Sequence, residues 1–175
     1  GHALVFCDTI IEKMAFGSSN VYETSDVRTW LNGTFYDAIS TDTTETILAV
    51  DFSKYSSSSF TTAMEDVTTT DIINESGKDF IFLVGVGDLP KIKNATKETE
   101  DGVKTWARTG IVNGKLVSAY WTRTPSKEGY VDEVVFNVGS LAVGSKSGIV
   151  PAMYISAPKK TVASTGIVND MGLFL

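Results

Sequence analysis

The sequence predicts an α+β domain built on an antiparallel sheet. Three observations carry that reading: an amphipathic helix stands early in the chain, several short β-rich runs follow it, and an Asn-Gly pair joins two of those runs. Helices that precede a series of short strands pack to one side of an antiparallel sheet. The 175 residues suffice for one domain with a sizeable core. Hydrophobic residues at 42% and charged residues at 21% are ordinary for a globular chain.

The elements follow in order. Ala3 to Cys7 reads as a short buried strand, and Ile10 to Phe16 as a second strand or an irregular connection. Ser25 is a good N-cap, and Asp26 complements the positive end of the helix dipole. Val27, Trp30, Leu31, Phe35, Ala38 and Ile39 recur at spacings of three and four, which makes one apolar stripe. Asn32-Gly33 is expected to break or bend this helix, because glycine weakens a helix interior by about 1 kcal/mol. Ser40 or Thr41 can cap a further short helix through Glu45 and Ile47, and Ile47 to Phe52 reads as a strand. Ser53 to Val67 is Ser-rich and weakly patterned, with Ser56 to Ser59 as a loop tip.

Phe80 to Val86 is apolar and bounded by glycine, so it reads as a central strand. Gly85-Val86-Gly87-Asp88 is its end and turn: the third glycine of a dinucleotide fingerprint is missing. Lys91 to Lys104 is polar and reads as an exposed loop or short helix. Asn113-Gly114, between Ile111-Val112 and Leu116-Val117, marks a hairpin, since both central positions of a type I′ turn take positive φ. Ala119 to Pro125, Tyr130 to Val138 and Val150 to Ile155 read as the later strands. Gly1-His2 is read as a cloning remnant, which leaves residues 3–175 as a single domain, with 158–175 as a C-terminal strand or linker. Met171 to Leu175 is apolar enough to dock.

Charge and residue inventory exclude several chemistries. The net charge is -6 and no basic cluster is visible, so neither nucleic acid nor an anionic membrane is an expected partner. The longest apolar runs fall far short of the roughly 20 residues of a membrane span, so no membrane insertion is expected. Cys7 stands alone, and the one histidine is His2. A Ser-His-Asp or Cys-His arrangement therefore has no native base, and a Cys/His metal cluster has no ligands. Calcium needs only oxygen ligands. Asp66, Asp71, Glu75 and Asp79 fall in one loop-rich stretch, and Glu98, Glu100 and Asp101 in another, but neither has an EF-hand pattern and both read as solvated. With 21 acidic residues, no glycosidase-like pair stands out. The expectation is a protein that is not an enzyme, with no metal site and no cofactor.

Trp121 and Arg123 alternate with Tyr120 and Thr122 and share one sheet face. Two readings compete. In one, Trp121 packs and Arg123 pairs with a nearby carboxylate. In the other, Arg123 with Tyr130 or Asp132 lines a polar and aromatic site, to which Trp106 contributes. A sugar site uses such parts, an aromatic face under the ring and planar polar groups on the hydroxyls. Arg123, Tyr130, Asp132 and Trp106 are the candidate ligand-binding residues.

Four motifs occur in order. They are Tyr22, Ser25, Val27, Arg28, Trp30, Leu31 and Asn32; then Phe82-Leu83; then Trp121-Thr122-Arg123-Thr124-Pro125; then Gly148-Ile149-Val150-Pro151-Ala152. Together they resemble a bacterial domain family of unknown function, over about Ala3 to Ile155. Two positions depart from its pattern, Val150 where the family usually has Arg and Thr124 for Ser. The family is in turn distantly similar to C-type-lectin-like domains and to the formylglycine-generating-enzyme group. This resemblance implies a C-type-lectin-like α+β fold, with two early helices packed on a twisted antiparallel sheet and a long loop region carrying the ligand site. The copper and cysteine chemistry of the formylglycine-generating group needs a cysteine pair, which a chain with Cys7 alone does not have.

The implied role is a non-enzymatic ligand-binding domain of a larger secreted or surface bacterial protein, extracellular or at the cell surface. Its partner would be a glycan or a host or bacterial surface protein. The alternative is a spacer module of an adhesin or phage-like fibre with no small ligand.

Overall fold

The computed structural model describes residues 1–41, 46–52, 73–92, 96–98 and 100–156. Strands β1 (His2–Phe6) and β2 (Glu12–Ala15) open the chain. A 3₁₀ turn at Tyr22–Thr24 leads into α1 (Asp26–Trp30). Ser25 caps α1 as expected, its hydroxyl accepting from the Arg28 amide. The predicted break at Asn32-Gly33 takes a milder form: Leu31–Phe35 widens to one π turn and the helix continues as α2 (Tyr36–Ser40). Val27 and Leu31 of the predicted stripe are fully buried, while Trp30 stacks on Phe35 at 5.3 Å between ring centres.

Among the described residues, one main helical stretch stands between β2 and the next strand. The further helix expected from Thr41 has residues 42–45 outside the described structure, and Ile47 belongs to β3 (Ile47–Leu48). The Ser56 to Ser59 loop tip and the tail 158–175 also lie outside the described residues.

The central strand expected over Phe80 to Val86 is shorter. It is β4 (Ile81–Leu83), because a 3₁₀ helix takes over at Val86–Lys91. Part of the Lys91 to Lys104 segment pairs in place of forming a loop or helix, as β5 (Lys97–Glu98) against β6 (Lys104–Thr105). The Asn-Gly signal is met: β7 (Gly110–Val112) and β8 (Lys115–Val117) form a hairpin with φ of 50° at Asn113 and 73° at Gly114. Next come β9 (Tyr120–Lys127), β10 (Tyr130–Val134), β11 (Val138–Ala142), β12 (Lys146–Ile149) and β13 (Pro151–Ser156). The single strand expected over Tyr130 to Val138 is thus two, reversed by a turn in which the Val135 amide donates to the Asn137 carbonyl.

Two main sheets result, antiparallel except at one bridge. In the first, β13 lies between β1 on one side and β3 and β4 on the other. In the second the order is β11-β10-β9-β12-β2, and β12 meets β9 in parallel only at Gly148 and Tyr120. The segments β1–β2 and β12–β13 run antiparallel through both sheets and tie them together. The fold is therefore α+β and mostly sheet.

A row of aromatic rings joins the two sheets. Trp121 packs on Phe16, Phe16 on Tyr22, Tyr22 on Phe52, Phe52 on Phe82 and Phe82 on Tyr154, with ring centres 5.1 to 6.4 Å apart. No helix among the described residues is long and apolar enough to cross a membrane.

Candidate functional site

The helix is fixed to β4 through polar side chains. The Asn32 amide oxygen accepts from the amides of Phe80 and Ile81, and its nitrogen donates to the carbonyls of Arg28 and Ile81. Arg28 Nε donates to Asp79 Oδ1 at 2.5 Å, and its Nη1 donates to the Glu23 carbonyl at 3.0 Å. The Tyr22 hydroxyl accepts from the Leu83 amide. Three residues of the first sequence motif thus hold the helix against the edge where β4 begins.

Beside this junction lies a cleft of about 420 Å³, lined by Glu23, Arg28, Asp51, Phe52, Lys78 and Asp79 among others. Asp79 is 5% exposed, and burial pushes its carboxyl above the ordinary value. The Arg28 guanidinium opposes that shift, and the charges of Glu23 and Asp51 add to it. Arg28 keeps 23% of its side chain exposed toward solvent. The Glu23 carboxylate and the Lys78 ammonium make no hydrogen bond or ion pair among the described residues. The cleft therefore offers strong acceptors and strong donors side by side, on the 3₁₀ turn, on α1 and beside the isolated Val50–Asp79 bridge. Among the described residues, no group of three or more His, Cys, Asp and Glu is placed to hold a metal ion.

The residues singled out from the sequence lie elsewhere. Arg123 is fully buried: Nη2 donates to Asp88 Oδ2 at 2.6 Å and Nη1 donates to the Leu83 carbonyl. Its guanidinium carbon stands 4.8 Å from the centre of the Phe52 ring. A bulge puts it there. Val131 faces Pro125 and Glu133 faces Trp121, so two steps along β10 span four along β9. The Arg123 amide leaves the sheet and donates to the Val84 carbonyl. Of the two readings of Arg123, the geometry matches pairing with a carboxylate, and the buried guanidinium presents no surface to a ligand.

Tyr130 and Asp132 do come together, on one face of β10. Ser140 stands opposite Asp132, and its hydroxyl donates to Ser126 Oγ at 2.7 Å. Burial raises the Asp132 carboxyl and a hydrogen bond from Ser126 opposes the shift. The Lys127 ammonium lies 4.3 Å from the Tyr130 ring centre. Trp106 is half-buried between β6 and β7, where its carbonyl accepts from the Tyr120 hydroxyl. Glu23, Asp51 and Lys78 gave no signal in the sequence, because their approach depends on which strands pair. Arg28 and Asp79 were visible there only as a motif member and as one acid among several.

The other motif residues are also structural. Trp121 Nε1 donates to the Met14 carbonyl, and Thr124 Oγ1 accepts from the Val86 amide. A Cβ at Gly148 would stand 2.5 Å from the Ala119 carbonyl oxygen, closer than packing allows. Val150, where an Arg was expected, is fully buried in the core.

No curated protein and no solved structure matches the chain. The family model described as Domain of unknown function (DUF6273) matches residues 1–157, and the chain belongs to that family.

Proposed function

We propose that this is a non-enzymatic, C-type-lectin-like domain of a larger secreted or surface protein, and that it binds a glycan in the cleft beside Asp79. The observation that carries this reading is the gathering of Glu23 and Lys78, whose charged groups are unengaged among the described residues, with the fixed Arg28–Asp79 pair around one concavity. Vicinal sugar hydroxyls need acceptors and donors together, which a carboxylate and an adjoining cation supply. About 420 Å³ is within the range of small-ligand clefts and suits one or two sugar rings. Phe52 is nearly fully buried, so recognition rests on polar groups rather than on ring stacking.

The test is a glycan array probed with a multimerised form of the domain, with and without EDTA. The expected result is a reproducible hit that survives EDTA and is lost in Lys78→Ala and Glu23→Gln. A hit lost instead in Tyr130→Ala and retained in the cleft variants would move the site to the β10 face. Silence from folded protein would remove the glycan reading.

The spacer reading has an observation of its own. Ile111 and Leu116, which face each other across the hairpin, are each 68% exposed, and Phe136 is 50% exposed. Apolar surface of this kind suits contact with a neighbouring protein module.

A further inference from the structure

The second sheet ends in β11, which pairs with β10 on one side and with no strand on the other among the described residues. Two bonds at its ends fix where its backbone groups point. The Val135 amide donates to the Asn137 carbonyl, and the Val143 amide to the Gly129 carbonyl. Bonded and non-bonded pairs alternate along an antiparallel ladder. Both bonds belong to the alternation in which Gly139 and Leu141 bond to Glu133 and Val131. Val138, Ser140 and Ala142 therefore turn their amides and carbonyls away from β10. Of these backbone groups, only the Ala142 carbonyl has a partner among the described residues, the Ser145 amide. Proteins block open strands with charge, proline or a bulge. From Val135 to Gly144 the chain has neither a charged residue nor a proline, and β11 pairs with β10 without a break in register. At the other end of the same sheet, β2 carries Glu12 and Lys13. Val135, Phe136 and Val138 are exposed beside the open edge.

We propose that β11 pairs antiparallel with β11 of a second copy of this chain, about a two-fold axis at Ser140, so that the two sheets join into one. The strand is its own complement in that register. Ser140 exchanges bonds with Ser140 of the second copy, and Val138 with Ala142, which are the residues whose backbone groups point outward. The Ala142 carbonyl has a second lone pair for this bond. The same register sets Leu141 against Gly139 and brings Phe136 level with Gly144. A Cβ added at either glycine would meet nothing within 4 Å, so each leaves room for the larger side chain of the other copy. A two-fold contact of this kind is isologous and closes at two copies. One strand and a few side chains bury less than the roughly 1,000 Å² of a stable interface, so association is weak and depends on concentration. The inference rests on the sheet edge and is independent of the cleft beside Asp79.

The test is amide hydrogen exchange of the full chain, read residue by residue by NMR, with sedimentation over the same concentrations. Raising the protein from about 10 μM to about 1 mM should slow the Val138, Ser140 and Ala142 amides by about fivefold, as mass action fills the dimer. The Gly139 and Leu141 amides, bonded to β10, should be slow throughout. Ser140→Lys sets two ammonium groups against each other at the axis and should abolish both the slowing and the dimer, while Gly139 and Leu141 stay protected. If that variant loses their protection, Phe136→Ser takes its place and should weaken association by about tenfold. The proposal is overturned if the outward amides exchange equally fast at both concentrations, if a dimer forms while they remain fast, or if the dimer survives in Ser140→Lys.

Discussion

Arg123 and Asp88 meet at 2.6 Å with their side chains 0% and 2% exposed, and the contact joins the bulge of β9 to the turn that follows β4. The same Asp88 oxygen accepts from the Gly85 amide, so one atom both caps the 3₁₀ turn and holds the guanidinium. Arg123 in turn covers the carbonyl of Leu83 and lies over Phe52. An arginine inside a sheet protein persists only when its donors are taken up, and here a carboxylate, a carbonyl and a ring face take them up.

Breaking that pair from either side leaves a buried charge without its counter-charge. Arg123→Ala and Asp88→Ala should each lower unfolding stability by about 3–5 kcal/mol in urea titration. Their effects should not add, since both remove the same contact. A loss under about 1 kcal/mol in either single variant would mean that the pair does not hold the turn.

Asn32 and its neighbour Gly33 should respond in opposite directions. The Asn32 amide satisfies the Phe80 and Ile81 amides, so Asn32→Ala strands two backbone donors and should cost about 2–4 kcal/mol. Gly33 sits in the helical stretch with nothing within 4 Å of an added Cβ. Gly33→Ala should therefore stabilise by about 0.5–1 kcal/mol, through the entropy of the unfolded chain. Thermal unfolding of the two variants checks both signs.

The sequence made local features legible and left distant pairings hidden. Ser25 as N-cap, the Val27–Leu31 stripe and the Asn113-Gly114 hairpin follow from spacing and φ preference, which neighbours in the chain decide. The π turn at Leu31–Phe35 was not legible, because Asn32 bonds to a strand some fifty residues away. The sequence offered Arg123 both a structural and a binding role. Only the bulge in β9, a matter of register against β10, aims it at Asp88. Of the candidate residues offered beside Arg123, Tyr130 and Asp132 share one face of β10, and Arg123 is buried. The cleft beside Asp79 was invisible because it gathers side chains from segments that the sequence keeps far apart.

Asp79 gives the cleft a pH signature. Burial raises its carboxyl above the ordinary value of 3.8 despite the Arg28 contact. A raised folded-state value means that the folded protein holds the proton longer than the unfolded chain does. The resulting stabilisation is complete below the unfolded value and is lost as pH rises through the folded one. The stability of the parent relative to Asp79→Asn should therefore decline with rising pH, starting near pH 4. Arg28→Leu removes the opposing charge and should push that decline to higher pH. Urea titrations across the acid range measure both, and a parent-minus-variant difference that rises with pH would reverse the assignment.

Tyr154 extends the same reasoning to alkaline pH and returns to the Arg123–Asp88 pair. Burial, with the Asp88 carboxylate beside it, pushes the Tyr154 hydroxyl from 10.0 up to about 12, and Arg123 partly opposes the shift. Burial also raises Tyr22 and Tyr120. Each keeps its proton in the folded state where the unfolded chain releases it, so its stabilisation is complete below pH 10 and fades as pH rises through the folded value. Phenolate absorbance should show a component near pH 12 that disappears in Tyr154→Phe. In Asp88→Asn the same component should move toward 10.0, because one cause of the shift has gone while Arg123 remains. A component that stays in place in Asp88→Asn would mean that burial alone sets it, and that Asp88 acts on Arg123 and the turn but not on the ring beside them.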